Sequence, residues 1–126
     1  GGNPVSYAAA LATLDLLEGG LVTHAAEMGE HLRLRLMEVM ARQPTIGDVR
    51  GLGLMTAVDL VTSRETRRPD PALRDAVLEQ AFQRGVLLLG CGESAIRFSP
   101  PLVISRAQID TAMEIFDTAI SAAIGG

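Results

Sequence analysis

The stretch VRGLGLMTAVDLV (residues 49–61) is where the spacing of apolar residues changes from a helical period to a strand period. Its large apolar residues alternate with small or polar ones, and the apolar set is Leu52, Leu54, Val58 and Leu60. A period of two is typical of a β-strand with one apolar face. The stretch therefore predicts a strand between a helical first part of the chain and a mixed second part.

Two helices are predicted before this strand. Asn3 and Pro4 form a helix start, because asparagine is a good N-cap and proline suits the first helical position, and Gly19 and Gly20 end that helix. A second helix is predicted over residues 21–42, since its apolar residues recur at steps of three and four. They are Val22, Ala25, Gly29, Leu32, Leu36 and Val39.

A third helix is predicted after a polar loop, with Asp70 and Pro71 at its start and Gly85 at its end. Residues 86–89 and 95–98 are predicted to be short strands that pair as a hairpin around a glycine-rich turn, the first of them buried.

The last helix begins at a capping box, in which Ser105 and Gln108 satisfy each other's backbone N–H groups. The predicted order is therefore α-α-β-α-β-β-α. It indicates an α+β fold, with a small, mostly antiparallel sheet of about three strands covered on one face by helices. We expect a single domain over residues 1–126, with residues 1–44 as a helical lead-in and residues 45–126 as an α/β unit.

Composition excludes several classes of function. The net charge of −4 argues against a nucleic-acid-binding protein, and no apolar run approaches the roughly 20 residues of a membrane span. The one cysteine, Cys91, leaves no internal disulfide or cysteine-based zinc site and fits the reducing cytoplasm.

The basic residues are unusual, because all eleven are arginine and the chain contains no lysine. Chemistry that needs a side-chain amine, such as a Schiff base with a carbonyl compound, therefore has no donor in these 126 residues.

The segment AIRFSPPL (residues 95–102) places a cation inside an apolar strand. Alternation puts Ile96 and Phe98 on one face and Arg97 on the other, and the two prolines that follow fix the exit of the chain. An arginine on such a rigid mount suits bidentate recognition of a carboxylate. The alternatives are a solvated arginine or one paired with Asp59 on a neighbouring strand.

Other candidate groups are weaker. His24 and His31 lie seven residues apart, too far to chelate one metal from a helix, and a solvated helix face is the simpler interpretation. Cys91 has no nearby histidine and is interpreted as a small turn residue. The glycines of GLG (residues 51–53) begin a strand with no helix after it, which favours close backbone approach over a phosphate loop. No catalytic, cofactor-binding or metal-binding residue is predicted.

Three motifs, in order, carry a resemblance to a known family: GGNPVSYAAALATLDLL (residues 1–17), IGDVRGLGLMTAVDLV (residues 46–61) and RGVLLLGCGESAIRFSPPLVIS (residues 84–105). Together they resemble the C-terminal small domain of class III aminotransferases, which are pyridoxal-phosphate-dependent enzymes of fold type I. The resemblance covers essentially the whole chain and does not indicate the substrate.

The resemblance implies that Arg97 binds the carboxylate of an amino-acid substrate in a parent enzyme that transfers amino groups to 2-oxo acids. It also implies that the catalytic lysine and the pyridoxal phosphate site belong to a large domain upstream, shared in a homodimer, so this chain alone is expected to be an inactive fragment without cofactor. An aminomutase, racemase or decarboxylase of the same class, or a free-standing binding module, remains an alternative.

Overall fold

The computed structural model describes residues 20–125, so the predicted first helix lies outside the described part of the chain. The described elements follow the order α-β-β-α-β-β-α, which confirms the α+β class. They are α1 (Val22–Arg42), β1 (Ile46–Leu52), β2 (Met55–Leu60), α2 (Pro71–Gln83), β3 (Leu89–Cys91), β4 (Ala95–Phe98) and α3 (Arg106–Gly125).

The helix starts predicted for α2 and α3 are confirmed by their hydrogen bonds. The side chain of Asp70 accepts a hydrogen bond from the backbone N–H of Leu73 at 3.1 Å. At α3, the N–H of Ser105 donates to the Gln108 side chain at 2.9 Å, and the N–H of Gln108 donates to the Ser105 hydroxyl at 3.1 Å. Both caps satisfy N–H groups that the first helical turn leaves without partners.

The prediction of one strand across residues 52–60 is wrong, because the segment is a hairpin. The chain reverses at Gly53 and Leu54, and Gly53 has a φ of +58°, a left-handed value that glycine adopts without strain. A two-residue loop that begins with glycine is a favoured hairpin connection. The reversal leaves Leu52 88% exposed while Leu54 is buried, so the two leucines do not share an apolar face.

The buried strand predicted over residues 86–89 is also wrong in its bounds and its burial. β3 starts only at Leu89 and forms an edge of the sheet, where one side of the strand has no strand neighbour. Leu87 is 74% exposed and Leu89 is 52% exposed, whereas Leu88 packs against the core. The predicted hairpin with β4 is nevertheless confirmed, since Leu89 is opposite Arg97 in an antiparallel pair.

The four strands form one antiparallel sheet in the order β1-β2-β4-β3. Its inner face carries side chains that the helices bury, including Val58, Leu60, Ile96 and Phe98. The main helical partners of that face are Leu36 of α1, Val77 of α2, and Ile109, Met113 and Phe116 of α3. The opposite face of the sheet, which we call the open face, carries the charged residues Asp48 and Arg50 of β1, Asp59 of β2 and Arg97 of β4.

None of the three described helices has a stretch that is both long and apolar enough to cross a membrane.

Candidate functional site

Arg97 lies at the third position of β4, between two residues that hold the strand in the core. Ile96 is fully buried and Phe98 is 5% exposed, whereas Arg97 is exposed on the open face. The ring of Phe98 meets the ring of Phe116 in an edge-to-face contact with centroids 5.0 Å apart. Such aromatic pairs have a preferred geometry, so the backbone that carries Arg97 is fixed from its other side. The predicted alternation around Arg97 is confirmed.

The chain leaves β4 directly after Phe98, at Pro100 and Pro101. Neither proline has an N–H group to continue the ladder of the sheet. A turn then closes with the N–H of Ile104 donating to the carbonyl of Pro101 at 3.0 Å. The strand end that carries Arg97 is thus anchored by burial on one side and by a restrained turn on the other.

Strand register places Arg97 in a row of residues across the open face. Arg50 of β1 is opposite Ala57 of β2, Ala57 is opposite Arg97, and Arg97 is opposite Leu89 of β3. The small side chain of Ala57 leaves space between the two arginines. Two guanidinium groups therefore stand on the same side of the sheet, two strands apart.

Arg97 does not pair with Asp59 in the structure, so that alternative from the sequence is wrong. Asp59 accepts a hydrogen bond from Nη1 of Arg50 at 2.6 Å. Among residues 20–125, Arg97 makes no hydrogen bond or ion pair through its side chain. The donors of its guanidinium are therefore not used by any residue in that part of the chain.

A cavity of about 360 Å³ opens beside Arg97. Its wall is mostly apolar and includes Leu88, Phe98, Pro100, Pro101, Ile104 and Met113. Binding sites for small molecules commonly combine such a wall with a few polar groups. Phe98 and Met113 belong to the core, however, so this cavity is on the helix side of the sheet, whereas the side chain of Arg97 is on the open face.

Arg50 belongs to a charged cluster on the open face. Its Nη1 lies 3.6 Å from Oδ2 of Asp48, but the shorter contact, at 2.6 Å, joins Arg50 to Asp59. The hydrogen bond to Asp59 raises the pKa of the Arg50 guanidinium, against a smaller opposing effect of desolvation. The closer contact depends on the hairpin, which brings two segments of the predicted single strand side by side.

The two histidines are partly buried and hydrogen-bonded, in contrast to the solvated helix face expected from sequence. His24 Nε2 lies 2.7 Å from the carbonyl oxygen of Ile104. His31 Nε2 lies 2.6 Å from Oδ1 of Asp110, and its Nδ1 lies 3.0 Å from Nη1 of Arg106. Both histidines therefore link α1 to the segment that follows Arg97 in the chain. Their helical spacing could be read from the sequence. Their hydrogen-bond partners could not, because these partners are distant in the chain and leave no local sequence pattern.

Cys91 is the last residue of β3 and not a turn residue, since the turn begins at Gly92. Its thiol is half-buried in a second cavity of about 380 Å³, which also contains Arg50, Asp59, Arg67 and Glu93. The histidines of the described residues bond elsewhere, so neither of them is available to activate the thiol.

The residues of this chain do not fit covalent binding of pyridoxal phosphate. The chain contains no lysine, and an arginine cannot supply the neutral amine that such a link requires. What the chain does contain is an arginine, Arg97, exposed on the open face of the sheet. No chemical step through the cofactor is assigned to these residues.

The comparison with protein families identifies the family to which the chain belongs. The model of the family "Aminotransferase class-III" matches residues 1–120. The chain therefore belongs to the class III aminotransferase family.

Relatives of known activity carry out several reactions. The chain is 42% identical to isoleucine 2-epimerase of Lentilactobacillus buchneri, over 99% of this chain and 28% of that enzyme. It is 41% identical to alanine/serine racemase of Pyrococcus horikoshii, over 98% of this chain and 26% of that enzyme. Identity to 4-aminobutyrate aminotransferase of Escherichia coli is 37%, over 90% of this chain and 28% of that enzyme.

Solved structures share the same fold. An aminotransferase of Bacillus anthracis aligns with a TM-score of 0.86 and 32% identity, over 97% of this chain and 29% of that one. A phospholyase from Arthrobacter, in complex with phosphoethanolamine, aligns with a TM-score of 0.85 and 34% identity, over 96% of this chain and 29% of that one. The chain thus spans less than a third of the length of these relatives.

Proposed function

We propose that residues 1–126 form the C-terminal small domain of a pyridoxal-phosphate-dependent aminotransferase. The whole enzyme would transfer an amino group from an amino acid or ω-amino acid to a 2-oxo acid. One observation carries this proposal: in a chain of this family, Arg97 is exposed on a rigid strand, and its guanidinium has no hydrogen-bond partner among residues 20–125.

The role of Arg97 is to bind and orient the substrate carboxylate. A guanidinium presents parallel N–H groups that match the two oxygens of a carboxylate, so one residue fixes both position and direction. A substrate held in this orientation loses less entropy on reaching the transition state, so the barrier to the reaction is lower. Pro100 and Pro101 restrain the end of the strand and so help to hold the guanidinium in position.

The rest of the active site belongs, in this proposal, to a larger part of the same enzyme. A large domain would supply the lysine and hold pyridoxal phosphate, which provides the electron-withdrawing group of the reaction. We expect the complete enzyme to be a cytoplasmic homodimer with shared active sites. The 126-residue chain alone is expected to have no activity.

Racemisation or epimerisation is a second candidate function. It is favoured by the identities of 42% and 41% to an epimerase and a racemase, each over nearly the whole chain. Those reactions also act on α-amino acids, so a carboxylate-binding arginine fits them equally well.

Product analysis of the full-length protein separates the two reactions. The protein is incubated with single-enantiomer amino acids, with and without a 2-oxo acid acceptor. Transamination requires the acceptor and converts it into an amino acid, whereas racemisation proceeds without it and changes only the configuration of the substrate. A panel that yields neither outcome would contradict both candidates.

A further inference from the structure

Asp59 and Arg97 lie on neighbouring strands and on the same face of the sheet. In the pairing of β2 with β4, Asp59 is opposite Ala95 and Ala57 is opposite Arg97. Asp59 and Arg97 are therefore diagonal neighbours on the open face. Cα atoms in that relationship lie about 7–8 Å apart, a separation that long side chains bridge.

A second carboxylate acts on Asp59 from the other side. Asp48 of β1 is directly opposite Asp59 in the hairpin, and about half of its side chain is exposed. Like charges directly opposite each other in a sheet repel. On its own, Asp48 would drive the carboxylate of Asp59 away from β1 and toward β4, the strand that carries Arg97.

Arg50 reverses this tendency. Its Nη1 lies 2.6 Å from Oδ2 of Asp59 and 3.6 Å from Oδ2 of Asp48, so one guanidinium contacts both carboxylates. The contact holds the side chain of Asp59 on the β1 side of the sheet. Within residues 20–125, Arg97 makes no ion pair, which agrees with this arrangement.

We propose that Arg50 is a positioning residue that holds the carboxylate of Asp59 away from Arg97 and so leaves Arg97 open to the substrate carboxylate. The inference rests on the proposed role of Arg97. Arg50 is not itself a second carboxylate site, because with Asp48 and Asp59 it forms a cluster of net charge −1 that disfavours another anion.

The test uses steady-state kinetics of the full-length protein with a carboxylate substrate. Arg50→Gln is expected to raise KM about threefold to fivefold, the size expected when an exposed ion pair competes for one guanidinium, with kcat nearly unchanged. Arg50→Met serves as a second neutral variant if glutamine prevents folding. Arg50→Lys retains a cation for Asp59 and should keep most of the wild-type KM.

A matched double variant identifies the cause. Asp59→Asn removes the competing charge. Arg50→Gln combined with Asp59→Asn should therefore return KM to within about twofold of the wild-type value, a remaining difference that small non-additive effects would explain. An unchanged KM in both neutral Arg50 variants overturns the inference. It is also overturned if the double variant retains the whole defect of Arg50→Gln.

The Arg97→Ala background separates this inference from the proposed function. If Arg97 binds the carboxylate, Arg97→Ala raises KM by itself, and adding Arg50→Gln has no further effect. If Arg97→Ala leaves KM unchanged, the proposed function fails. If Arg97→Ala raises KM but Arg50→Gln adds its full effect on top, Arg97 retains its role and the inference about Arg50 is wrong.

Discussion

Gly29 of α1 lies against the carbonyl oxygen of Gly53, in the turn that joins β1 to β2, so closely that a Cβ atom at position 29 would overlap that oxygen. One turn further along α1, Nη1 of Arg33 donates to the same oxygen at 2.5 Å. The helix therefore docks on the turn through direct backbone contact. Neither partner in this contact is a flexible side chain, so neither can move aside cheaply.

Gly29→Ala is expected to destabilise the fold. Alanine would improve helix propensity by up to about 1 kcal/mol, but overpacking costs about 1–3 kcal/mol. Because the opposing atom is backbone, we expect a net loss of about 1–2 kcal/mol in the free energy of unfolding, measured by urea denaturation of the 126-residue chain.

Gly125→Ala is the matched control, since that helical position has no atom within 4 Å of the added Cβ. It should leave the midpoint of denaturation unchanged or slightly raised. Equal stability of the Gly29→Ala and Gly125→Ala variants would show that the contact with Gly53 is unimportant.

The N-cap of α2 gives a second prediction. Asp70→Ala removes the acceptor for the N–H of Leu73 and should cost about 1 kcal/mol of stability. Asp75→Ala, in the same helix, removes an aspartate whose side chain is 71% exposed and should change stability by less than about 0.5 kcal/mol. Similar losses for both variants would mean that the cap does not stabilise the helix.

The two histidines have a defined tautomer in this structure. Arginine has only donors, so Nδ1 of His31 must accept from Arg106, and Nε2 then carries the proton that is donated to Asp110. His24 likewise donates from Nε2 to the carbonyl of Ile104. Two-bond ¹H–¹⁵N correlation spectra should report the Nε2–H form for both neutral rings.

Arg106→Met provides the control for this prediction. The variant should shift the Nδ1 resonance of His31, which loses its donor, and leave the Nδ1 resonance of His24 in place. A neutral His31 protonated at Nδ1 in the wild-type chain would contradict the arrangement at Arg106.

The sequence predicted the helices that have local signals at their ends. Asp70 with Pro71, and Ser105 with Gln108, are complete signatures within four residues, and the structure confirms both. The hairpin of β1 and β2 was missed because Leu52, Leu54, Val58 and Leu60 keep a period of two across the turn. The left-handed φ of Gly53 breaks the strand there, and a Gly-Leu pair is a weak turn signal.

The candidate site could be predicted only in part. Alternation alone placed Arg97 on the open face, because Ile96 and Phe98 are apolar neighbours that belong in the core. Whether Asp59 pairs with Arg97 or with Arg50 depends on the order and register of the strands. The spacing of residues within one strand does not predict either of these. The partners of His24 and His31 are about 80 residues away in the chain, and only packing of α1 on α3 and on the turn before it brings them together.

Arg97 is the most direct test of the proposed function, because every step of the proposal depends on its binding a carboxylate. In the full-length enzyme, Arg97→Ala should raise KM for carboxylate substrates about tenfold to hundredfold, the effect of losing a charged hydrogen-bonded pair, with a smaller change in kcat. Arg84→Ala, which removes another exposed arginine at the end of α2, should leave KM within twofold of wild type, about the scatter expected of a surface change. An unchanged KM in the Arg97→Ala enzyme would contradict the assignment of Arg97 to the substrate site.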